Sequence, residues 1–477
     1  MKRTAMYFVA VLLSMQFCFA GNKPKETTIH ILSVNDMHAT ISLMPKFAAV
    51  VDSLRQIDPD LIVLSGGDNR TGEPHNDRYE IPAYPIVAFM NAVGFNASAI
   101  GNHEWDNKWS GLRTLQNLAS FPYLCCNVET PDTMNMLTKP FTFLDVKGFR
   151  IGILGSIQLG MNGIPDCHPD NIKGIKFRQP DDAIPEYQWM RKQCDYLILL
   201  SHDGYAADTI TANLFPYFDQ IIGGHTHTLV KPNAFYNGVL VTQAKNKLAY
   251  ATYTTIVLNK KGKVVSKSCE QIDVKNFGSE NKEVARLLEV FMHNEELSQT
   301  VCTVAKDFKT TEELGNMMTD AILAETKSDV AMQNGGGVRF DKFAAGSMTV
   351  NDILQLDPFG NEAVVYKLTG RQIADIIMQC FYIDEKQVPY VAGITYEMKI
   401  DSDKKPTGIE IHSLDPSKPF DLEGTYQFVT NSYVSAILKF PSEGQSTYHA
   451  CSDHMMDFLR SKQTVDYQGT HRAVVKQ

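Results

Sequence analysis

Five short apolar runs each end in side chains that bind metal ions. Ile29–Val34 leads into Asn35, Asp36, Met37 and His38, and Leu61–Leu64 into Ser65, Gly66, Gly67 and Asp68. Ala97–Ile100 leads into Gly101, Asn102, His103 and Glu104, with Asp106 close behind. Tyr196–Leu200 runs into Ser201, His202 and Asp203, and Ile221–Ile222 into Gly223, Gly224, His225, Thr226 and His227. Asp36 and His38, one residue apart, leave a strand on the same side. A carboxylate beside an imidazole suits Zn, Mn or Fe at neutral pH. Asp68 follows two glycines that let the backbone turn sharply and present one carboxylate, and a carboxylate can bridge two cations with its two oxygens. Asn102 offers an amide oxygen, and His202, His225 and His227 are separate imidazole donors.

Two divalent ions roughly 3.5–4 Å apart can hold a hydroxide and clamp both oxygens of an in-line displacement. The chemistry to expect is phosphoester or related hydrolysis. His103 stands one residue past Asn102, beside the metals without being needed as a ligand. Asp106, three residues on, can hydrogen-bond its other ring nitrogen, fixing the tautomer and keeping the imidazole cationic. Glu104 and Trp105 are read as local packing. Asp203 is read as a support for His202 rather than as a ligand.

Runs of this length and β-branched content are buried strands, and strand ends in an α/β sheet open on a common crevice. From Thr27 to about Val274, strands alternate with helix-like stretches at Met44–Gln56, Tyr84–Val93 and Asp181–Gln193. Further strands are expected at Arg150–Ser156, Val239–Thr242 and Tyr250–Leu258. Asn276–Ser298 is charged with a helical apolar period, which predicts a connecting helix. A second unit begins near Val301, opens with a helix over Glu312–Glu325, and mixes strands and helices to the end. The divisions expected are 1–20 as a signal segment, 21–275 as the metal-bearing domain, 276–300 as the connection and 301–477 as the second domain.

The leader reads as secretory: Lys2 and Arg3, an apolar Met6–Phe19, then Cys18-Phe19-Ala20 as a small-x-small exit. The protein is therefore expected to be secreted, periplasmic or on the cell surface, with no transmembrane span once the leader is cut. Losing Lys2 and Arg3 takes the formal net charge from −9 to −11. A chain this acidic is a poor general binder of polymeric nucleic acid or anionic membrane. Eight cysteines follow the leader; an oxidising location permits disulfides, but spacing does not assign pairs. None lies in the ligand clusters.

These motifs resemble the calcineurin-like metallophosphoesterases and, within them, the two-domain 5'-nucleotidase family. The matching segments are Asp36/His38, Gly66-Gly67-Asp68, Gly101–Asp106, His202 and Gly224–His227. The resemblance implies an α/β fold: an N-terminal four-layer sandwich, with helices flanking two packed β-sheets, and a C-terminal α+β substrate-binding domain. It implies two divalent ions (Zn, Mn, Fe or Co), one held by Asp36, His38, Asp68 and His227 and the other by Asp68, Asn102, His202 and His225. His103 and Asp106 are implied as the catalytic dyad. In the second unit, Asn334-Gly335-Gly336-Gly337-Val338-Arg339 resembles the turn whose Asn contacts the base and whose Arg contacts the phosphate. Three glycines there let backbone approach a ligand closely, which makes Gly336 a substrate-binding candidate. Asp357-Pro358-Phe359-Gly360-Asn361 resembles the loop whose ring stacks on the base, with Asn361 beside it.

Two departures bear on specificity. Where the family places an Arg before the helix that opens the second unit, this chain has Lys309-Thr310-Thr311-Glu312, and a lysine lacks the guanidinium fork. The family's second stacking Phe and its Gly-Gly-Asp-Gly turn are missing from Thr430–Ala436, leaving Tyr433 as the substitute ring. The resulting expectation is an exported dimetal 5'-nucleotidase that releases phosphate from nucleoside monophosphates by attack of a metal-activated hydroxide. The same core also suits a broad phosphatase or a hydrolase of nucleotide sugars or 2',3'-cyclic nucleotides. A nucleotide-binding receptor with structural metals is the reading from another class; it would need neither His103 nor Asp106.

Overall fold

Parallel pairing brings the ends of the site-bearing strands to one level. In the computed structural model, which describes residues 26–477 apart from residue 385, Glu26–Val34 pairs in parallel with Ile62–Ser65, setting Val34 opposite Ser65. Ile62–Ser65 pairs in parallel with Ala97–Ala99, setting Ser65 opposite Ser98. The loops that follow all leave from one sheet edge. In a second sheet, Tyr196–His202 pairs in parallel with Gln220–Ile222, Leu200 opposite Ile222. The expected leader at 1–20 lies outside the described residues.

The first sheet has the order Val264–Asp273, Tyr250–Asn259, Glu26–Val34, Ile62–Ser65, Ala97–Ala99, Tyr123–Leu124. The second runs Phe235–Tyr236, Val239–Thr242, Gln220–Ile222, Tyr196–His202, Phe149–Ile157, Phe141–Val146. Strand side chains alternate between faces, and here both faces are covered. Ile29, Ile31, Ile62 and Leu64 meet Ile151, Ile153, Ile198 and Leu200 between the sheets. Leu32, Val34 and Val63 turn outward onto Phe47, Val50 and Val51 of the helix Met44–Ile57. Leu197, Leu199 and Ile221 turn outward onto Ile184, Met190 and Ala212. Each side chain so buried contributes roughly 1.5–3 kcal/mol. The result is the four-layer sandwich expected: helices, sheet, sheet, helices. Burial on both faces is why these strands read as continuous apolar runs.

The second unit is built on a five-stranded mixed sheet in the order Tyr390–Ala392, Val330–Gln333, Thr425–Asn431, Glu362–Thr369, Gln445–Ala450. Ile373, Ile376 and Ile377 of the helix Gly370–Ile383 cover one face. Ile322 of the helix Thr311–Thr326 reaches the other, over Ala331 and Val429. That helix begins at a capping box in which Thr310 and Glu313 satisfy each other's backbone N–H groups. Val330–Gln333 and Thr425–Asn431 run parallel, and Glu362–Thr369 starts opposite the end of the latter, Ala363 against Asn431. Asn334, Asn361 and Tyr433 thus lie at one end of the sheet.

Two helix expectations are shortened. Asp181–Gln193 is a single α-turn at Pro180–Ala183 followed by 3-10 helix over Ile184–Lys192. Pro185 has no N–H to continue the α-ladder. Of Asn276–Ser298, only Lys282–Phe291 is α-helical, capped by the Asn281 side chain. After it, Asn294 bonds the backbone of Glu296 rather than prolonging the helix. Val284 and Phe291 join the first unit's core, and Asn281 Nδ2 donates to Asp52 (2.6 Å), so this helix is fixed to the metal-bearing unit. The eight cysteines among the described residues are unpaired. No helix among the described residues is long and apolar enough to cross a membrane.

Candidate active site

Several loop residues that carry the site adopt backbone conformations side chains rarely take. Asp36, His38, Asp68, His225 and His227 all have positive φ, between 45° and 73°. Each such residue costs roughly 1–3 kcal/mol and persists only where its surroundings hold it. Here the loops hold one another. Asp36 N–H donates to Gly67 O (2.9 Å), His38 N–H to Asp68 O (3.0 Å) and Ala39 N–H to Asn69 O (2.8 Å). His225 N–H donates to the Asp36 carboxylate (3.0 Å). Gly101 passes so close to Asp68 that a Cβ would stand 2.2 Å from Oδ1, which explains a glycine ahead of Asn102.

The ligand atoms predicted from the strand ends converge. His38 Nε2 lies 3.0 Å from His227 Nε2, and His227 Nε2 lies 3.5 Å from Asp36 Oδ1. Asp68 Oδ2 lies 3.1 Å from His202 Nε2, and Asn102 Oδ1 lies 3.1 Å from His225 Nδ1. Ligands about 2.0–2.2 Å from one ion stand about 3 Å apart, so these separations fit shared cations. Asp68 groups with His38 and His103 on one side and with Asp36 and His202 on the other. The field fits as well. Burial disfavours a charged imidazole, yet the carboxylates of Asp68 and Asp36 raise His202 to about 10. His202 is fully buried, and its Nε2 makes no aligned hydrogen bond. An atom in that position calls for a proton or a cation.

The far ring nitrogens are tied back. His38 Nδ1 meets Thr71 O (3.0 Å), and His227 Nδ1 meets the Asn246 amide (3.0 Å). His202 Nδ1 is 2.7 Å from Gly66 O. This corrects one expectation: Asp203 does not hold His202, but accepts from Ser156 Oγ (2.6 Å) and Ser201 Oγ (3.0 Å). Glu104 is also more than packing. Its buried carboxylate accepts from the backbone N–H groups of Asp68 (2.9 Å), Asn69 (2.8 Å) and Gly101 (2.6 Å), locking two ligand loops together.

Asp166 was missed altogether. Its carbonyl accepts from Asn102 Nδ2 (3.0 Å), which turns the amide oxygen toward His225. Its carboxylate lies 3.7 Å from His225 Nε2. Outer-shell partners of metal-bound histidine typically affect metal affinity by about 10–100-fold. Asp166→Ala is therefore expected to weaken one of two bound ions by that factor and leave the other in place. Metal titration followed by elemental analysis would check it; equal loss of both ions would refute it.

His103 Nδ1 lies 2.7 Å from Asp106 Oδ2. Burial lowers the imidazole's affinity for a proton, but the Asp106 and Asp68 carboxylates outweigh it, leaving the pKa raised. Asp106 closes the short 3-10 turn His103–Trp105, while Asn107 starts the next helix, so its carboxylate is committed to His103 rather than to a cap. A Phe359 ring from the second unit stacks on the His103 imidazole, 5.7 Å between centroids at 17°.

Both units line one cavity of about 850 Å³, within the range of small-molecule sites. Asn102, His103, Asp106, His225 and His227 face it from the first unit, and Asn334, Gly336, Arg339, Phe359, Asn361 and Tyr433 from the second. Arg339 Nη2 lies 3.2 Å from His38 Nε2, and its guanidinium lies 5.7 Å from the Phe359 ring centroid. Asp384 accepts from Gly336 N–H (3.0 Å) and Asn334 Nδ2 (3.3 Å), holding the glycine turn open to the cavity. Asn361 Oδ1 accepts from Ser432 Oγ (3.1 Å). Lys309 is not on this wall; its backbone N–H serves Glu313.

Comparison with known proteins agrees with this arrangement. Residues 29–229 match the family model for calcineurin-like phosphoesterases, and residues 291–437 match that for the 5'-nucleotidase C-terminal domain. The chain is 27% identical over 459 residues to a 5'-nucleotidase of Vibrio cholerae, covering 83% of this chain and 79% of that protein. It is 27% identical over 435 residues to protein UshA of Yersinia enterocolitica, covering 76% and 78%. The fold matches a 5'-nucleotidase precursor from Thermus thermophilus with a TM-score of 0.84, at 22% identity over 94% of this chain and 99% of that one. It also matches the sulfate thiohydrolase SoxB of Thermus thermophilus with a TM-score of 0.77, at 15% identity over 94% and 96%.

Proposed function

Since the chain belongs to the calcineurin-like metallophosphoesterases of the two-domain 5'-nucleotidase family, and is a metal-dependent phosphoester hydrolase, we propose that it is an exported dimetal 5'-nucleotidase acting on nucleoside monophosphates. The observation that carries this reading is the single cavity shared by the ligand cluster and the Asn334–Arg339 turn, with Arg339 against His38 and Phe359 against His103. Export rests on the Lys2–Ala20 leader.

Asp36, His38, Asp68 and His227 would hold one ion, and Asp68, Asn102, His202 and His225 the other. Bound there, two divalent ions supply an activated water at neutral pH and neutralise phosphoryl oxygens. The chain's own groups do the rest. Arg339 offsets the charge that builds on the equatorial oxygens. Asp106 keeps the proton on His103 Nδ1 and orients the ring, so that Nε2 can give a proton to the departing oxygen as the P–O bond breaks. Phe359 and Tyr433 supply rings for the base, and Asn334 and Asn361 supply amides for its edge. A nucleoside between those rings places its 5'-phosphate toward Arg339.

A hydrolysis screen across nucleotides, with chelator and metal add-back, tests the reading. Chelation is expected to abolish phosphate release and add-back to restore it, with AMP preferred over a sugar phosphate. A preference below about threefold would favour the second reading, a broad phosphatase. The observation behind that alternative is local: Ser432 bonds Asn361 where the family's second stacking ring is expected, leaving Tyr433 as the substitute ring on the cavity wall.

A further inference from the structure

The turn Lys245-Asn246-Lys247 forms part of the cavity wall on the metal-bearing unit. It is bolted to the ligand loops: Lys247 N–H donates to Asp36 O (2.8 Å), Lys245 N–H to Thr228 O (3.1 Å), and the Asn246 amide meets His227 Nδ1. Lys247 holds a positive φ of 51° to do so. Its side chain is partly buried and reaches across to the second unit, with Nζ 5.9 Å from the Phe340 ring centroid.

Two cations share this part of the cavity. Burial, then the charge of Arg339, hold the Lys247 ammonium below the usual lysine range, against the pull of Asp341 and Glu73. Arg339 is itself lowered by burial, against Asp68, Asp106, Asp36 and Asp384. Like charges brought together out of water repel, and an anion placed between them removes that cost. Arg339 and Lys247 line the same cavity, Arg339 against His38 and the Lys247 turn against the Asp36 and His227 loops. That bonding puts Lys247 at the ligand-cluster end of the cavity, where the phosphoryl group of a substrate would lie.

We infer that Lys247 and Arg339 together bind the two negative charges of a terminal phosphoryl group, and that Lys247 is the residue selecting phosphomonoesters over phosphodiesters. This rests on the reading of the cavity as the phosphoester site. A monoester dianion has a charge for each cation. A diester presents an esterified oxygen where the monoester presents an anionic one, and so gains little from a second cation beside Arg339. Lys309, the cation the sequence offered for this task, stands off the cavity wall.

The test compares Lys247→Met, Lys247→Arg and Lys309→Ala in the full metal-loaded chain, using p-nitrophenyl phosphate and bis(p-nitrophenyl) phosphate. For Lys247→Met, kcat/KM on the monoester is expected to fall about 10–100-fold, mostly through KM, while the diester changes less than about threefold. Inhibition by inorganic phosphate should weaken in parallel. Lys247→Arg should recover most of the selectivity, and Lys309→Ala should leave it unchanged. Equal losses on both substrates, or no loss on either, would overturn the inference. Neither probe carries a nucleoside, so failure on AMP with monoester selectivity intact would remove the nucleotidase reading and leave the role of Lys247 standing.

Discussion

Replacing His103 with alanine is expected to lower kcat by at least about 10²-fold while both metal ions remain bound. A hundredfold corresponds to about 2.7 kcal/mol of lost barrier stabilisation. The separation between chemistry and metal binding follows from which part of His103 does what. Its backbone N–H, which alanine keeps, donates to Asp68 Oδ1 (2.9 Å). Its ring, which alanine removes, carries the bond to Asp106 and the stack with Phe359. The ligand loop therefore survives the substitution and the proton donor does not. Turnover measured beside elemental analysis decides the matter. Undiminished turnover would dismiss His103 from catalysis, and loss of an ion would make it a ligand.

Asp68→Ala is expected to do both kinds of damage. One carboxylate oxygen receives the His103 N–H, and the other lies 3.1 Å from His202 Nε2. Without it the two proposed ions would lose their shared ligand, and His202 would keep a buried nitrogen without the Asp68 carboxylate beside it. The loss of metal affinity should exceed the about 10–100-fold cost of removing an outer-shell partner, and hydrolysis should fall to background. The fold should persist, because Glu104 grips the backbone of residues 68, 69 and 101 rather than the Asp68 side chain. Circular dichroism would confirm folded protein, and stoichiometric retention of two ions would refute the assignment of Asp68 as the bridge.

The candidate ligands legible from sequence share one property: each sits within a few residues of a strand end, so local apolar pattern and parallel register together predict their meeting. The residues that were missed act through space. Asp166 meets Asn102 across 64 positions, and Glu104 meets Asp68 across 36. Nothing in the spacing around either points to its partner. Nothing in the sequence around Lys247 marks it; its surroundings come from Asp36 and from the second unit. Lys309 erred the other way, suggested by position along the chain but turned into a helix start. The helix expected at Asp181–Gln193 failed on a local matter, Pro185, whose missing N–H an apolar period does not register.

The mutual bracing of the ligand loops bears on how the chain comes by its cations. Asp36 to Gly67, His38 to Asp68, His225 to Asp36, and Glu104 to three amides are all bonds that protein makes to protein. The cradle is thus held by bonds that need no cation. Stripping the cations with chelator is therefore expected to leave these loops in place, so that an added ion can enter without rebuilding the polypeptide around it. On that footing the supply of cations, rather than refolding, would decide which element the molecule wears.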